Sequence, residues 1–422
     1  MDYFIFIFWL LAFVWLVWKT PFFRKHQLNP WLMAGLFILK VAAGAAYAWL
    51  FSRLPEYQAK VDTWRYFYQS LPETRWLLED PAAFFADLVT PRYEQDGGLL
   101  ATQNSLLNDL KEVLVIKFMA ICNVLSGGRY YVNLIFFNYL VLFGIAGFGL
   151  LWARFFRVSR PTLMVAAIAL WPSVLFWSSG FHRDGLLLLG VGATLWLAWR
   201  VSLQPNWTNV VGLIVVFLFL FLLRNYLALF VAIAVALAAV VYYRPLQAKW
   251  MLPVAIVSGL VIVLALGGLY PDYALPHLLA RRQQEFLGLQ GGSLQAPLPL
   301  DDGWLSLLRS LPEALRRAFA APLPGPGLKT TEWLSAMENV VWLVSILPAV
   351  WRGRHRAKTP SQKAWMVLAV SLVLAVGIIT GLTIPFVGAI ARYKSIIWPL
   401  MAPPVVYWWY HLISKKGMRK TA

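Results

Sequence analysis

Long apolar stretches separated by short polar turns account for most of the chain. A helix needs about 17–25 apolar residues to cross the hydrocarbon core of a bilayer, and eleven stretches reach or approach that length. The pattern therefore predicts an all-α, polytopic membrane protein with about 11 transmembrane helices. The eleven predicted spans are 2–18, 31–52, 130–153, 161–177, 185–199, 208–223, 226–243, 250–270, 332–350, 364–384 and 395–413.

Two segments, residues 53–129 and 271–331, are too long and too polar to be simple turns. Apolar residues recur at helical spacing from Ser105 to Leu125, which predicts a helix lying in the membrane interface. Residues 304–319 form a second amphipathic stretch, and the proline-rich string at 322–327 is predicted to end that helix.

The composition supports the membrane class. Of the 422 residues, 60% are hydrophobic and 13% are charged, whereas soluble proteins average about 45–50% and about 25%. The sequence contains one cysteine, Cys122, which allows no intramolecular disulfide. These figures exclude a disordered chain and a disulfide scaffold.

The net charge of +18 indicates membrane topology rather than nucleic-acid binding. When alternate loops are placed on the same side, one set carries 18 basic residues and no acidic residue. All 19 acidic residues lie on the other side or at its membrane edge, together with 18 basic ones, and Lys40 lies within the second predicted span. The positive-inside tendency assigns the first set to the cytoplasm, so the N-terminus is predicted outside and the C-terminus inside. Anionic membrane lipids are the expected partner of the basic excess.

The same placement organises the chain. Residues 1–30 are predicted to form an additional N-terminal transmembrane helix with its cytoplasmic loop. Residues 31–413 form one membrane domain whose two long polar segments face outward, and residues 414–422 form a basic cytoplasmic tail. The sequence contains no Walker-type phosphate-binding loop, which argues against a nucleotide-driven pump.

Asp62 is the first candidate for chemistry, ten residues after the second predicted span ends at Ser52. At the outer membrane surface, its carboxylate could take a proton from an acceptor hydroxyl as a general base. Asp62 could equally cap a helix or pair with Arg65, since this segment holds ten acidic residues. The spacing alone leaves these roles open.

Three short outer turns are predicted to bring basic residues to one membrane level. The turns are His182-Arg183-Asp184, Arg224-Asn225-Tyr226 and Arg392-Tyr393-Lys394. Guanidinium groups bind phosphate oxygens bidentately, so the turns could hold a lipid-linked phosphate or pyrophosphate. Alternatively, these side chains only extend to the membrane interface, as Arg and Lys at helix ends commonly do. Asp184 is suited to cap the next helix, and His182 could be a base, a metal ligand or a phosphate donor.

Several short strings resemble the GT-C superfamily of integral-membrane glycosyltransferases. They are the Asp soon after an outward-going span, Trp-Pro-Ser-Val-Leu-Phe-Trp-Ser-Ser-Gly at 171–180, and Ala391-Arg-Tyr-Lys before the last span. Leu311-Pro-Glu-Ala-Leu, Pro322 and Met337-Glu-Asn-Val are similar to recurring features of bacterial members. The arrangement of spans and loops is similar over about residues 30–410, but the amino-acid sequence is similar only in these short strings.

The resemblance implies an inverting glycosyltransferase that uses a polyprenyl-phosphate-linked sugar donor. It implies Asp62 as the catalytic base, with Arg392 and Lys394 holding the donor phosphate. The further substrate-binding candidates are Arg224, Arg183, His182, Asp184 and Tyr393.

The resemblance also implies a location and partners. The protein would act at the outer face of a bacterial cytoplasmic membrane on a glycan, lipid or protein acceptor, with no nucleic acid involved. Many members have a second acidic residue after the first, whereas Asp62 is followed by Thr63, and the N-terminal span is additional. These departures leave open whether a divalent metal such as Mg or Mn takes part; no other cofactor is implied.

Three other functions are compatible with the sequence. A polysaccharide polymerase or ligase uses similar lipid-linked substrates, but its dominant outer loop usually lies late in the chain. A transporter or lipid flippase predicts charged residues along a path through several spans, yet only Lys40 and Glu338 lie within spans. A non-enzymatic assembly factor would tolerate the loss of the Asp62 carboxylate.

Overall fold

The computed structural model describes residues 2–53, 61–88, 106–289, 293–326, 328, 330–353 and 359–406. These residues form helices and contain no strand, apart from an isolated antiparallel bridge between Leu294 and Phe386. The all-α prediction is confirmed.

The chain divides into two compact units. The first comprises Met1–Arg154 and Val158–Leu229, and the second comprises Phe155–Arg157 and Phe230–Ala422. The predicted membrane domain over residues 31–413 contributes to both units.

The first unit contains eleven helices within the described residues, and the next helix begins in it. They are α1 (Asp2–Lys19), α2 (Pro21–Lys25), α3 (Pro30–Ser52), α4 (Asp62–Glu79), α5 (Pro81–Ala86), α6 (Leu106–Ser126), α7 (Tyr130–Phe155), α8 (Pro161–Ala169), α9 (Pro172–Trp177), α10 (Arg183–Leu203), α11 (Trp207–Leu223) and α12 (Asn225–Tyr243).

The second unit contains the rest of α12 and seven further helices among the described residues. They are α13 (Ala248–Leu269), α14 (Leu275–Leu287), α15 (Trp304–Phe319), α16 (Thr330–Gly353), α17 (Pro360–Thr383), α18 (Val387–Lys394) and α19 (398–406).

Seven segments of the described chain are long and apolar enough to cross a membrane. They are Asp2–Lys25, Pro30–Ser52, Tyr130–Phe155, Arg183–Leu203, Asn225–Tyr243, Ala248–Leu269 and Pro360–Thr383. The membrane class is therefore confirmed, but the count of eleven spans is not. The helix at 207–223 is short at 17 residues, and the predicted span 395–413 extends beyond the described residues.

The predicted span 161–177 is interrupted. Helix α8 ends at Ala169 and α9 begins at Pro172, with Trp171 in an extended conformation between them. Proline lacks an amide hydrogen and disfavours a helical conformation in the residue before it. An apolar run that looks continuous in sequence therefore folds as two short helices.

In the first polar segment, α4, α5 and α6 form a helical cluster. Asp80 caps α5 by accepting from the Ala83 amide at 3.0 Å, and Pro81 is the first helical residue. Helix α6 confirms the helix predicted over residues 105–125. Lys117 of α6 is buried between Glu73 of α4 at 2.9 Å and Asp87 at 3.1 Å, the latter just after α5.

In the second polar segment, α15 confirms the predicted amphipathic helix, and it ends at Phe319 before the proline-rich string. Its buried side packs in an apolar cluster with α14 and α17. A Cβ atom on Gly381 of α17 would stand 2.0 Å from the Ala314 carbonyl oxygen of α15. The close approach of these two helices therefore requires glycine at position 381.

Candidate functional site

The candidate residues of the first unit form one chain of charged contacts. It begins at Asp62, the first residue of α4, and passes through Arg65 to Glu112 on α6. It continues from Glu112 to Arg183, the first residue of α10. The next residue along the chain, Asp184, contacts Arg224 in the turn between α11 and α12. Four separate segments of sequence thus meet at one corner of the unit.

The Asp62 end of this network is held by Arg65. One Arg65 guanidinium nitrogen, Nη2, lies 3.6 Å from Asp62 Oδ1 and 2.8 Å from Glu112 Oε1. The Asp62 side chain is 18% exposed, so its carboxylate is partly shielded but still reachable from solvent. The sequence analysis gave pairing with Arg65 as an alternative to catalysis by Asp62, and the structure contains this pair. The catalytic role of Asp62 stays a prediction.

Glu112 bridges two guanidinium groups from different helices. Its Oε1 contacts Arg65 Nη2 at 2.8 Å and lies 3.8 Å from Arg183 Nη2. Burial acts against the charge of Arg65, but the hydrogen bond to Glu112 and the neighbouring negative charges outweigh it and raise the pKa of Arg65. Arg65 therefore remains charged at any physiological pH.

Tyr66 lies beneath this layer of charges. The guanidinium carbon of Arg65 is 5.2 Å from the centre of the Tyr66 ring. Burial, and then the negative charge of Asp62, raise the pKa of the Tyr66 phenol. Tyr66 is thus a neutral hydroxyl that can donate a hydrogen bond.

The far end of the network is the pair His182 and Asp184, which are 0% and 1% exposed. His182 caps α10 by accepting from the Asp184 amide at its Nδ1, which also lies 3.1 Å from Asp184 Oδ2. Arg224 Nη2 lies 3.8 Å from Asp184 Oδ1. Asp184 lies in the first turn of α10, where the helix dipole favours a negative charge, but the residue that caps the helix is His182 and not Asp184 as the sequence predicted.

Buried polar atoms of Tyr66, His182 and Arg183 have no hydrogen-bond partner among the described residues. They are Tyr66 Oη, His182 Nε2 and Arg183 Nε. Buried polar groups in proteins are nearly always hydrogen-bonded, so unpaired ones often mark a functional position. Two of them can donate a hydrogen bond in any physiological protonation state, and a neutral His182 can do so from Nε2 in one tautomer.

The charge balance defines what the site can do. Three guanidinium groups (Arg65, Arg183 and Arg224) stand against three carboxylates (Asp62, Glu112 and Asp184). An anionic ligand that binds the same guanidinium nitrogens as a carboxylate must displace that carboxylate. The arrangement supplies anion ligands and a partly accessible carboxylate in one place.

The remaining candidates lie at the end of α18 in the second unit. Arg392 and Tyr393 are half-buried, and the Tyr393 ring contacts Phe286 edge-on at 6.2 Å. Lys394 is 2% exposed and donates to Asn339 Oδ1 at 2.6 Å. Burial lowers the pKa of Lys394 to about 8, although the nearby charge of Glu338 acts in the opposite direction. Their predicted role in binding a donor phosphate stays a prediction.

Sequence reasoning missed Tyr66 and Glu112. Asp62, Arg65 and Tyr66 lie at positions i, i+3 and i+4 of α4, and that spacing places the three side chains on one helix face. Glu112 had no comparable signal, because it is one of ten acidic residues in the segment and its partners are distant in sequence.

Within the described residues, no group of three His, Cys, Asp or Glu side chains could hold a metal ion. The involvement of a divalent metal stays open, and the chemistry argued below uses only side chains of the chain itself.

An apolar groove of about 540 Å³ lies elsewhere in the first unit, between α1 and the end of α6. Its rim carries Arg129, whose Nε donates to Asp2 Oδ1 at 2.7 Å. None of the candidate site residues lines this groove.

No family model matches the sequence, and neither a curated protein nor a solved structure matches the chain. The function is therefore inferred from the residues of the site.

Proposed function

We propose that this protein transfers a sugar from a polyprenyl-phosphate-linked donor to an envelope glycan, lipid or protein at the outer face of a bacterial cytoplasmic membrane. The observation that carries the proposal is the single network joining Asp62 to Arg65, Arg183 and Arg224. It combines a partly accessible carboxylate with several guanidinium groups, which inverting transfer from a lipid phosphate needs.

In the proposed reaction, Asp62 accepts the proton of the acceptor hydroxyl as its oxygen attacks the anomeric carbon. The bond from that carbon to the phosphate oxygen breaks, and the polyprenyl phosphate leaves with the bonding electrons. A phosphate departs at neutral pH without being protonated, so the donor side needs positive charge rather than a general acid.

Arg183 and Arg224 supply this positive charge in the first unit, and Tyr66 can add a neutral hydrogen bond. For Arg392, Tyr393 and Lys394, which lie in the second unit, the binding role that the resemblance implies stays a prediction. Asp184 holds the Arg224 guanidinium group, and His182 holds Asp184. In this proposal neither residue contacts the reacting atoms.

The proposal includes a membrane topology. The chain would cross the membrane about eleven times, with the N-terminus outside and the C-terminus in the cytoplasm, as the charges of the loops favour. The polar segments 53–129 and 271–331 would then face outward, on the side where a flipped lipid-linked donor is available.

Binding of the lipid phosphate, which the donor and the released product share, tests the ligand class directly. We would measure binding of undecaprenyl phosphate to the purified protein in nanodiscs, and compare wild type with Arg183→Gln and Arg224→Gln. Each variant should lose at least about tenfold in affinity, because a charge-assisted hydrogen bond to phosphate contributes about 1.5–3 kcal/mol. Arg309→Gln, an exposed arginine on α15, is the matched control and should bind like wild type. Absence of binding by wild type, or unchanged binding by both site variants, would contradict the proposal.

The products distinguish the alternatives. With a panel of undecaprenyl-phosphate sugars, a glycosyltransferase releases free polyprenyl phosphate and a product extended by one sugar. A polymerase or ligase joins lipid-linked glycans and releases the lipid carrier from a glycan chain. A flippase moves the intact lipid across proteoliposomes and releases nothing, and an assembly factor does none of these.

A further inference from the structure

Lys40 is fully buried in α3, one of the helices apolar enough to cross a membrane. Its Nζ donates to Ser178 Oγ at 2.7 Å, to Ser179 Oγ at 2.9 Å and to the Ser178 carbonyl oxygen at 3.4 Å. A lysine ammonium has three donors, so these three contacts use all of them. Every hydrogen-bond partner of Lys40 among the described residues is thus a neutral oxygen on one short segment.

A buried lysine in a membrane helix is costly, and this one has no carboxylate partner in the described part of the chain. Its contacts are confined to residues 178–179, which follow α9 directly. Four residues after Ser178, the chain reaches His182, which starts α10 and the charged network. Lys40 therefore contacts the turn that leads directly into the site residues His182, Arg183 and Asp184.

Residues on one face of α3 contact the segment 178–182 at both of its ends. Lys40, Gly44 and Tyr47 are spaced i, i+4 and i+7, which places them on one stripe of the helix. A Cβ atom on Gly44 would lie 2.4 Å from the Ser179 carbonyl oxygen, so the backbones are in close contact there. The Tyr47 ring lies 5.1 Å from the His182 ring and covers Gly180.

Other helices hold the opposite side of the segment. Asn138 of α7 donates to the Ser179 carbonyl oxygen at 2.8 Å. Thr63, the residue after Asp62, donates to the Phe181 carbonyl oxygen at 3.0 Å. The position of His182 is therefore linked to α4 as well as to α3.

We propose that Lys40 is a positioning residue for the site. By supplying three hydrogen bonds to the turn at 178–179, it fixes the segment 178–182, and thereby the His182 ring and the start of α10 that carries Arg183 and Asp184. This inference stands on the contacts of the first unit, and only its consequence for ligand binding rests on the proposed function.

A lysine within 2.7 Å of a serine hydroxyl also has the arrangement of a base and a nucleophile. The burial of the group argues for positioning instead. Ser178 and Ser179 are 1% and 0% exposed, and the Ser178 hydroxyl donates to the Val174 carbonyl oxygen at 2.6 Å. A substrate would have no path to these hydroxyls in this packing.

Histidine NMR tests the inference without a ligand. The chain has five histidines, so protein labelled with ¹⁵N only at histidine gives a simple spectrum, and His182→Gln assigns the site signal. We would compare wild type with Lys40→Met, which keeps the length of the side chain but removes its donors. Lys363→Met, at the start of α17, is the matched control.

We expect Lys40→Met to shift the His182 ring nitrogens or to split the signal into several conformers. The His277 signal should stay unchanged, since His277 belongs to the second unit and pairs with Asp302 there. Lys363→Met should leave both signals unchanged. If His182 keeps its wild-type signal in folded Lys40→Met, the positioning role is wrong and Lys40 serves packing alone.

Ser178→Ala covers the case in which Lys40→Met does not fold. This variant removes one acceptor and leaves Lys40 its contact with Ser179. It should move the His182 signal in the same direction by a smaller amount, and an unchanged signal would overturn the inference.

Affinity for undecaprenyl phosphate gives the functional readout. Lys40→Met should weaken binding by at least about tenfold, because displacement of a binding group by about 1 Å is enough to cost that much. If wild type does not bind this lipid, the proposed function fails while the NMR result still decides the role of Lys40. If wild type binds and Lys40→Met binds equally well with a shifted His182, then the segment is positioned by Lys40 but does not contribute to binding.

Discussion

Glu112 would compete with the proposed donor phosphate for two guanidinium groups of the site. Its Oε1 lies 2.8 Å from Arg65 Nη2 and 3.8 Å from Arg183 Nη2. Both partners come from other helices, so the carboxylate and a ligand compete for the same hydrogen-bond donors. The charge of Glu112 therefore sets part of the affinity for an anion.

We predict that Glu112→Gln strengthens binding of undecaprenyl phosphate by about two- to fivefold. The amide keeps the shape of the side chain but no longer neutralises two guanidinium groups, and a partly exposed ion pair of this kind is worth up to about 1 kcal/mol. Glu285→Gln is the control, since Glu285 pairs with Arg282 in the second unit. Weaker binding by Glu112→Gln would show that Glu112 supports the ligand rather than competes with it.

Lys394 gives a prediction for the pH dependence of stability. Its pKa is about 8 in the folded chain and about 10.4 in an unfolded chain. Between these values the unfolded state binds more protons, so the free energy of unfolding should rise as pH increases from about 8 to about 10.4. Below pH 8 both states carry the charge, and its burial is a constant cost.

Thermal unfolding in detergent between pH 7 and 10.5 measures this effect. Lys394→Met removes the titrating group, so the rise in melting temperature seen in wild type should become smaller in the variant. Lys249→Met, an exposed lysine at the start of α13, should show the full rise. A profile for Lys394→Met that matches wild type would show that another group causes it.

At the scale of helices, Lys117 joins the three helices of the first polar segment. Its Nζ contacts Glu73 and Asp87 and lies 4.6 Å and 3.9 Å from the ring centres of Trp76 and Phe84. The cation thus lies between two carboxylates and two aromatic faces, and its side chain is only 4% exposed. The lysine that interrupts the apolar pattern of α6 is the residue that attaches α6 to α4 and α5.

We predict that Lys117→Met destabilises this cluster strongly. The substitution leaves Asp87 and Glu73 with little exposure and without their cation, and breaking a buried pair in this way costs about 3–5 kcal/mol. Limited proteolysis of the first polar segment and thermal unfolding would measure the loss. Lys249→Met should leave both unchanged, and equal stability of the two variants would contradict the role given to Lys117.

The sequence predicted those helices that are determined by the residues within the helix itself. Helical spacing indicated α6 and α15. The break at Trp171 was not predicted, because the apolar run continues across it and only Pro172 marks it. Local residue types determine where helices start, whereas long apolar runs conceal interruptions.

The site was predictable only in part. The sequence marks Asp62, Arg183 and Arg224 as candidates because they lie in predicted outer loops, and the structure places these three in one network. Glu112 and the contact between Lys40 and Ser178 depend on pairing between segments far apart in sequence. Hydrophobic patterns carry no information on such pairings.

At the scale of the whole molecule, the account depends on which loops face outward. The native Cys122 helps to test this, because it is 4% exposed and burial raises the pKa of its thiol to about 12. A buried thiol that stays protonated reacts slowly, so single cysteines can be introduced into the wild-type background.

We predict that a membrane-impermeant maleimide labels Asp272→Cys in intact spheroplasts and labels Ser159→Cys only after permeabilisation. Both positions are exposed, and they lie in loops assigned to opposite sides. Wild type should remain unlabelled in both conditions. Labelling of Ser159→Cys in intact spheroplasts would reverse the topology and would place the Asp62 network on the cytoplasmic side.

Turnover of undecaprenyl-phosphate sugars by wild type and Asp62→Asn decides whether the protein is a glycosyltransferase with Asp62 as its base. The account predicts that Asp62→Asn binds the donor normally but releases polyprenyl phosphate at least about 100-fold more slowly, the usual effect of removing a general base. Asp80→Asn is the matched control, because asparagine caps a helix as well as aspartate does. Turnover by Asp62→Asn within about threefold of wild type would contradict the account.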